Sequence, residues 1–329
     1  WKPPVSLPWP AAIDAGTREL PEPEARSMIR RLAATLDGAD PAFKKLDSLL
    51  RGHPVAEIAA CVPSFDHCVI APAFPAQGRV TRFGCQMVRE PDGWRDTGID
   101  LADGLRRYGV PVVPCRPGEA APDGASLWDA ETDDDLRTVV EAGQSLSGRV
   151  LWCGSGGLAG ALAFHGPVPA PDLPGPLLAL IGSDHPVSVA QLSAAWAHVH
   201  RITHGTAEEA APIARRLARG NAAVAIVVPP LLDRRGAARH IERCFAALLT
   251  QLDPPGTLFV TGGETLRGVC DMLRAARLDV DGEVGPGVPT SILCGGPWDG
   301  LRIVSKSGGF GDSGLLLRLL ASGHDGGLA

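Results

Sequence analysis

The chain has 329 residues, enough for two domains of ordinary size, and 45% of them are hydrophobic, so each half can bury a core of its own. The formal net charge of −6 and the absence of a basic stripe argue against nucleic-acid binding. No stretch reaches the roughly 18 uninterrupted apolar residues of a transmembrane helix, which argues against a membrane protein. The eight cysteines are scattered without a C-x-x-C pair, which favours a reduced, cytoplasmic setting.

Short apolar runs alternate with amphipathic runs in the first half of the chain. The apolar runs predict buried strands at 11–15, 68–73, 110–115, 126–130 and 149–153. Helices are predicted over 22–36 and 132–143, the second with a capping box formed by Thr132 and Asp135, and another helix is expected after 43–54. Strand and helix in alternation predict an α/β fold with a mostly parallel sheet flanked by helices.

A proline-rich segment at 164–176, with five prolines and two glycines, predicts a linker. We therefore expect two α/β domains, spanning 1–168 and 169–329. The alternation restarts after the linker, with strands predicted at 177–182, 223–228, 257–263, 291–294 and 301–304. Helices are predicted near 187–198, 207–219, 235–250, 264–276 and 313–321. The edges of two open sheets suggest a homodimer.

Three turns that follow predicted strands in the second half favour an anion. They are LIGSDHP, which carries Ser183, VTGGETL, which carries Gly262 and Gly263, and VSKSGGFG, which carries Lys306. Glycines let backbone N–H groups approach a phosphate, a helix N-terminus adds positive potential, and the lysine adds a charge. Each turn alone also fits an ordinary strand-to-helix connection. Because parallel strands end at one edge of a sheet, the three together favour a nucleotide.

Two other ligand signatures are weaker. RVLWCGSGGLA fits the dinucleotide pattern G-x-G-x-x-A, with Gly154, Gly156 and Ala159, but the acidic residue expected about 20 positions later would fall in the proline-rich linker. A dehydrogenase therefore stays as an alternative with little support. The spacing of His198, His200 and His204 could suggest zinc, yet no cysteine or fourth ligand lies near them in the sequence.

Arginines follow three predicted strands in the first half. The segment FKKLDSLLRGHP concentrates Lys45, Asp47, Ser48 and Arg51, and it can equally be a helix entry capped by Ser48 or Asp47. Two further turns supply the remaining candidates, Thr17, Arg18, Gly78 and Arg79. Arginine binds carboxylates through paired hydrogen bonds, so these turns suggest a small acidic ligand, although solvated loop arginines are commoner.

Seven segments together resemble one known family. KLDSLLRG, PAFPAQGR, DAETDDDL, GSGGLAGALA, VTGGETLRGV, GEVGPGVP and SKSGGFG occur in the order found in the four-carbon acid sugar kinase family, from about residue 12 to 321. The resemblance implies a two-domain α/β kinase that transfers the ATP γ-phosphate, with Mg²⁺, to a hydroxyl of threonate, erythronate or a 3-oxo-tetronate. It places the sugar acid in the N-terminal domain and ATP in the C-terminal domain.

The resemblance also implies roles for individual residues. The sugar acid would be surrounded by Thr17, Arg18, Lys45, Asp47, Ser48, Arg51, Gly78 and Arg79. ATP would be surrounded by Ser183, Gly262, Gly263, Glu264, Thr265, Gly287, Lys306, Gly308, Gly309 and Gly311. Lys306 would act as a charge partner of the phosphates. Asp47 would act either as the base for the acceptor hydroxyl or as the residue that orients Arg51.

The chain also departs from the family pattern. The A-D-D-L-T-G-A segment typical of the family is not found, and the sequence starts at Trp1, so we expect that an N-terminal strand-helix unit with acidic residues is missing and the metal ligands are unknown. Leu49, His53 and Val80 stand where the family usually has threonine, asparagine and threonine. A degenerate kinase that binds nucleotide or sugar acid as a sensor is therefore the alternative function.

Overall fold

A computed structural model describes residues 10–163, 166, 168–227 and 233–322 of the chain. The chain divides into two compact units, residues 1–165 and 166–329, and the division falls inside the proline-rich segment. Parts of that segment (Phe164, His165 and Pro167) and Val228 at the end of a predicted strand lie outside the described residues. Among the helices described, none has both the length and the apolar character needed to cross a bilayer.

The N-terminal unit is built on a parallel sheet, as the alternation of strands and helices predicted. Its elements are α1 (Glu22–Ala33), β1 (Ala42–Lys45), α2 (Pro54–Cys61), β2 (His67–Ala71), β3 (Arg79–Arg82), β4 (Cys85–Glu90), β5 (Gly93–Asp96), α3 (Leu101–Arg107), β6 (Val112–Cys115), β7 (Ala125–Trp128), α4 (Asp133–Gln144), β8 (Val150–Gly154) and α5 (Gly156–Leu162). Within the described residues, five strands pair in the order β1-β8-β2-β7-β6, all parallel.

Helices cover both faces of this sheet. Ile58 of α2 and Leu105 of α3 are buried on one face, together with part of α1. Leu136 of α4 and Leu158 of α5 are buried on the other face. Because both faces are covered, the central strands β2, β7 and β8 are buried along almost their whole length, so their sequences do not alternate between apolar and polar residues. The predicted capping box is confirmed: Asp135 N–H donates to Thr132 Oγ1, and Thr132 N–H donates to the Asp135 carboxylate.

The strand predicted at 11–15 is wrong. These residues have no regular structure, and in the described part of the chain no strand pairs with them. An apolar run forms a strand only where a neighbouring strand satisfies its backbone groups. Here Asp14 Oδ1 instead accepts the N–H of Gly16 at 2.9 Å, and Gly16 takes a positive φ of 60°. The segment is therefore a turn that leads to Thr17 and Arg18.

A small antiparallel sheet, formed by β3, β4 and β5 in the described residues, was not predicted as strands. Phe83 and Gly84 connect β3 to β4, and both have positive φ angles, 51° and 75°. Positive φ at both turn residues is typical of the tight hairpin turn whose twist matches the strands. The carboxylate of Asp129 accepts both turn N–H groups at 2.9 Å. This contact offsets the unfavourable backbone conformation of Phe83.

The C-terminal unit has a larger sheet. Its elements are β9 (Leu177–Ile181), α6 (Pro186–Ala194), β10 (Val199–Ile202), α7 (Ala207–Ala218), β11 (Ala223–Val227), α8 (Arg234–Leu249), β12 (Thr257–Thr261), α9 (Gly263–Met272), β13 (Arg277–Gly285), β14 (Val288–Cys294), β15 (Arg302–Lys306) and α10 (Leu315–Ser322). The described strands pair in the order β10-β11-β9-β12-β15-β14-β13, and of these only β14 runs in the opposite direction to the others. Phe245 of α8 lies in the core on one face, and Leu316 of α10 lies in the core on the other.

Two sequence predictions in this unit differ from the structure. The helix predicted over 264–276 ends at Met272, because Arg274 takes a positive φ of 54° and the chain then enters β13. The glycine- and proline-rich stretch at 281–290 is mostly a hairpin of β13 and β14. Gly282 and Gly285 fit in β13 because it is an edge strand with register shifts, and Gly287 turns the chain with a φ of 74°. Pro286 lies in the turn, and Pro289 precedes the residues of β14 that pair with β15.

Candidate functional site

The three glycine turns of the C-terminal unit lie side by side, as predicted from the sequence. They follow β9, β12 and β15, which are neighbouring parallel strands. Hydrogen bonds also connect two of the turns to the end of the neighbouring strand. Gly182 N–H donates to Thr261 O of β12 at 3.2 Å, and Gly262 N–H donates to Lys306 O of β15 at 2.9 Å. The structure therefore brings together Ser183, Gly262, Gly263, Glu264, Thr265, Lys306 and Gly308 at one edge of the sheet.

The glycines at this edge serve two different purposes. A Cβ atom on Gly308 would lie 2.1 Å from Ser183 Oγ, and one on Gly287 would lie 2.1 Å from Phe310. A Cβ on Gly311 would lie 2.4 Å from Leu315, whereas one on Gly309 would lie 3.2 Å from His185, which is tight but not a clash. Contacts inside the protein therefore require Gly287, Gly308 and Gly311. Gly263 differs, because a Cβ there would meet no described atom within 4 Å.

Helix α9 begins at this open position. Its N-cap residue is Gly262, with a φ of 107° and no side chain that could accept a hydrogen bond from the first turn. The N–H groups of a first helical turn carry partial positive charge and bind anions when no side chain caps them. An uncapped helix start beside open space, reached through a glycine turn, fits a phosphate group.

Lys306 is buried, with 4% of its surface exposed. Its Nζ donates to the carbonyl oxygens of Ser307 and Gly308, both at 3.1 Å, and to Ser188 Oγ at 3.4 Å. Burial lowers the pKa of Lys306 to about 8. A lysine ammonium has three N–H donors, and here each has an acceptor within the protein. In this structure Lys306 holds its own glycine loop, although the sequence suggested a phosphate contact.

Two polar residues of α6 also hold that loop and were missed in the sequence. Ser188 Oγ donates to Gly308 O at 2.9 Å, and Gln191 Nε2 donates to Asp312 O at 2.8 Å and Phe310 O at 3.2 Å. Both side chains are buried. The available signal was their spacing of three residues, which places two polar side chains on one helix face.

Asp47 and Arg51 form the centre of the candidate site in the N-terminal unit. Arg51 donates from Nε to Asp47 Oδ1 at 3.0 Å and from Nη2 to Oδ2 at 2.7 Å, and Leu49 N–H donates to Oδ1 at 2.9 Å. Burial opposes ionisation of Asp47, but these hydrogen bonds and the charges of Arg51 and Arg18 outweigh it, so its pKa lies below the usual value. Asp47 does not cap a helix, because α2 begins only at Pro54 with His53 as its N-cap.

Arg79 and Arg18 lie close to this ion pair. Burial and the positive charge of Arg51 lower the pKa of Arg79, while the charge of Asp47 partly offsets them. Arg79 Nη1 donates to the backbone oxygen of Gln77, and its Nε is buried without a hydrogen-bond partner in the described part of the protein. Arg18 contacts the backbone at Gly52, where a Cβ would lie 3.4 Å from Arg18 Cα. Asp47 is therefore paired with Arg51, and it interacts electrostatically with Arg18 and Arg79.

The remaining sugar-acid candidates make bonds within the protein. Thr17 is buried, and its hydroxyl donates to Glu57 Oε1 at 2.6 Å. Lys45 Nζ donates to Leu46 O at 2.7 Å, and Ser48 offers its carbonyl oxygen to Gln86 Nε2 at 2.8 Å. Gly78 turns the chain into β3 with a φ of 66°.

Glu57, Lys44 and Gln86 are buried or half-buried polar residues that the sequence did not single out. Glu57 Oε2 lies 2.7 Å from Lys44 Nζ, so one carboxylate joins Thr17 to a lysine of β1. The only signal for Glu57 was a single charged residue in the otherwise apolar helix PVAEIAAC. His53, which departs from the family pattern, places its ring Nε2 at 2.6 Å from Leu20 O and so contacts the protein itself.

The dinucleotide-like turn has no room for a phosphate. A Cβ on Gly154 would lie 2.6 Å from Ala71 O, and one on Gly157 would lie 2.5 Å from Ala73 O. Ser155 is fully buried and caps α5, since its Oγ accepts the N–H of Gly157 at 3.2 Å and donates to Ala73 O at 2.6 Å. The glycines are needed because this turn packs against the end of β2.

Two further features are the histidines of the C-terminal unit and a cavity of the N-terminal unit. His198 and Arg216 share a hydrogen bond at 3.1 Å, and His204 stacks edge-on against His240. Within the described ranges, no three His, Cys, Asp or Glu side chains gather as a metal site. A cavity of about 450 Å³ in the N-terminal unit is lined by residues at the amino ends of β2 and β7, at the opposite sheet edge from Asp47.

Comparisons with known proteins identify the family. A model of a sugar-binding N-terminal domain matches residues 9–103, and a model of a nucleotide-binding C-terminal domain matches residues 178–316. A D-threonate kinase of Cupriavidus necator is 32% identical over 93% of this chain and 85% of the relative, and one of Bordetella bronchiseptica is 29% identical over 93% and 84%.

Solved structures agree on the fold. The structure of Haemophilus influenzae protein HI1011 is 18% identical, has a TM-score of 0.66, and is matched over 93% of this chain and 88% of that chain. This likeness concerns the fold alone. The domain matches and the curated relatives show the family: the chain belongs to the four-carbon acid sugar kinase family.

Proposed function

We propose that this protein transfers the γ-phosphate of ATP to a hydroxyl group of a four-carbon acid sugar. Its relatives in Cupriavidus necator and Bordetella bronchiseptica are named D-threonate kinases, so D-threonate is the first acceptor to test, followed by erythronate and the 3-oxo-tetronates. The N-terminal unit would bind the acid, and the C-terminal unit would bind the nucleotide.

One observation supports the proposal that the substrate is an acid. Arg51 pairs with Asp47, the charge of Arg18 also acts on Asp47, and the charges of both members of the pair act on Arg79. Arg18 Nε also lies 4.0 Å from Glu19 Oε1, whereas the buried Nε of Arg79 has no hydrogen-bond partner in the described part of the protein. A second carboxylate, supplied by the substrate, would complete the charge balance and accept paired hydrogen bonds from a guanidinium. An uncharged sugar has no carboxylate that these guanidinium groups could bind. We therefore assign the substrate carboxylate to these arginines.

Asp47 is best assigned to the orientation of Arg51. Both of its carboxylate oxygens accept hydrogen bonds from Arg51, and its lowered pKa makes it a weak proton acceptor at neutral pH. Phosphoryl transfer depends mainly on alignment and charge neutralisation, so a firmly held guanidinium contributes more there than a weak base does.

The open N-terminus of α9 would bind a phosphate of the nucleotide. Gly263, Glu264 and Thr265 would supply backbone N–H groups there, and Lys306 would keep the neighbouring glycine loop in place. Bound Mg²⁺ would neutralise phosphate oxygens and take most of its ligands from them and from water. The close packing of Gly308 against Ser183, and of Gly287 against Phe310, would shape this pocket.

The test is ADP release from Mg-ATP in the presence of each candidate acid. We expect release that depends on one acid and that falls at least tenfold in Arg51→Met, because the acid loses a charged partner. Gln144→Met, an exposed change in the same unit, serves as the control. Saturable ATP binding without turnover of any acid would contradict the kinase and support the sensor function instead.

A further inference from the structure

Gln86 of β4 is almost completely buried, with 1% of its surface exposed. A buried amide is costly unless its donors and acceptor are satisfied. Here they are: Nε2 donates to Ser48 O at 2.8 Å and to Pro72 O at 3.3 Å, and Oε1 accepts the hydroxyl proton of Thr81 at 2.8 Å. Because carbonyl oxygens only accept, these partners also fix which side of the amide faces them.

The three partners of Gln86 belong to three segments of the candidate acid site. Ser48 lies between Asp47 and Arg51 in the loop after β1. Pro72 directly follows β2, and Thr81 lies in β3, the strand that begins with Arg79. One buried side chain therefore connects the loop of the ion pair to the strand that carries the third arginine.

The loop that Gln86 holds has an unfavourable backbone conformation. Leu50 has a positive φ of 57°, although it is not a glycine, and Gly52 follows with 88°. A leucine in this region is disfavoured and persists only where the surrounding structure holds it. The buried Leu50 side chain and the Gln86 bond to Ser48 are two contacts that hold it.

We propose that Gln86 is a positioning residue that orients Arg51 and Arg79 for the carboxylate of the acid substrate. It acts through Ser48 and Thr81 and does not touch the substrate. This inference rests on the proposed function, because it needs an acid that these arginines bind. Loss of Gln86 should therefore raise KM for the acid and not KM for ATP, because the nucleotide-binding unit contains neither Gln86 nor its partners.

The experiment compares Gln86→Met with the wild-type protein in steady-state kinetics. Methionine has a similar shape but leaves Ser48 O and the Thr81 hydroxyl without partners. We expect KM for the acid to rise about tenfold or more, while KM for ATP changes less than about twofold. Gln144→Met makes the same chemical change at an exposed site of the same unit and should leave both KM values unchanged.

Two further variants separate positioning from general stability. Gln86→Asn keeps the amide on a side chain one methylene shorter, which cannot reach Ser48 O and Thr81 Oγ1 together, so it should also raise KM for the acid and replaces Gln86→Met if that variant does not fold. Thr81→Val keeps the bonds to Ser48 and Pro72 and should raise that KM less than about threefold. An acid KM equal to that of wild type in folded Gln86→Met or Gln86→Asn would overturn the inference. A wild type without acid-dependent turnover would instead overturn the proposed function, so the two failures are distinguishable.

Discussion

Arg51 and Asp47 form an ion pair through two hydrogen bonds, from Nε to Oδ1 at 3.0 Å and from Nη2 to Oδ2 at 2.7 Å. Such a two-point contact fixes the plane of the guanidinium as well as its position. The pair lies directly after β1, where the loop leaves the sheet. We infer that Asp47 prepares Arg51 to bind the carboxylate of the substrate.

Replacing Asp47 tests whether it orients or acts as a base. In Asp47→Asn we expect KM for the acid to rise about tenfold, because Arg51 loses a charged anchor, while kcat falls less than about threefold. Asp134→Asn removes an exposed carboxylate that pairs with Arg137 in the same unit and should change neither constant. A fall of kcat by a factor of about a hundred with an unchanged KM would show that Asp47 is the base.

The same variant predicts a pH dependence of stability. The folded-state pKa of Asp47 is lower than its ordinary value of 3.8, so the ionised form stabilises the folded protein. That contribution is complete above the ordinary pKa and is lost as the pH falls through the lowered one. Urea unfolding should therefore find wild type more stable than Asp47→Asn near neutral pH, with a difference that disappears at strongly acidic pH. A difference that grows on acidification would contradict the ion pair.

Lys306 predicts a pH dependence of nucleotide binding. Its ammonium donates to three acceptors around the glycine loop, and burial lowers its pKa to about 8. Above that pH a neutral amine has only two N–H groups and directs a lone pair towards an oxygen. We expect KM for ATP to rise severalfold between about pH 7 and 9 in wild type, and to be high and independent of pH in Lys306→Met. A flat wild-type profile would contradict this role.

The stability of the folded protein should increase with pH, whereas ATP binding should weaken with pH. The pKa of Lys306 is lower in the folded protein than its ordinary value of 10.5, so the folded protein loses this proton first as the pH rises. The contribution of Lys306 to the free energy of unfolding therefore increases from about pH 8 towards 10.5. Relative to Lys306→Met, wild type should gain stability over this range in urea unfolding, and a relative loss would contradict the burial of the ammonium.

Two glycine variants separate packing from phosphate binding. A Cβ on Gly182 would lie 2.1 Å from Thr265 Oγ1, so Gly182→Ala should lower the free energy of unfolding by about 1–3 kcal/mol. A Cβ on Gly263 meets no described atom within 4 Å, so Gly263→Ala should fold normally. If a phosphate binds at this helix start, the added methyl group obstructs it, and KM for ATP rises about tenfold. Unchanged ATP kinetics in Gly263→Ala would place the phosphate elsewhere.

Glu57 predicts a stability effect. Its carboxylate joins Thr17 and Lys44, with side-chain exposures of 9% for Glu57 and 15% for Lys44. Glu57→Gln removes the charge that neutralises Lys44, so we expect a loss of about 1–3 kcal/mol in chemical unfolding. Glu141→Gln, a change on the exposed part of α4, should have almost no effect. Equal losses in the two variants would contradict a buried pair.

Much of the fold could be predicted, because its main strands are buried on both faces. β9 and β12 are continuous apolar runs, and periodicity alone indicates them. The run at 11–15 has a similar composition, but no strand in the described residues pairs with it. Which strands pair with one another cannot be inferred from a short stretch of sequence. The hairpin strands β3 and β5 were missed because RVTR and GWRD are rich in polar residues.

The candidate site was predictable only in part. Because parallel strands end at one edge of a sheet, the sequence predicted that the three glycine turns lie together. The structure confirms this, since the turns follow neighbouring parallel strands. A single sequence does not reveal which polar residues are buried, so the sequence analysis did not single out Gln86, Glu57 and Ser188. For the same reason the sequence suggested that Lys306 reaches a ligand, whereas its Nζ bonds to the loop beside it.

The most direct test of the proposed function is ³¹P NMR of the full-length protein incubated with Mg-ATP and D-threonate. We predict a new phosphomonoester signal that grows in step with ADP and is absent when the acid is omitted. The same signal with erythronate or a 3-oxo-tetronate would support the kinase and change only its acceptor. Inorganic phosphate alone, or no change with any of these acids, would contradict phosphoryl transfer to a four-carbon acid sugar.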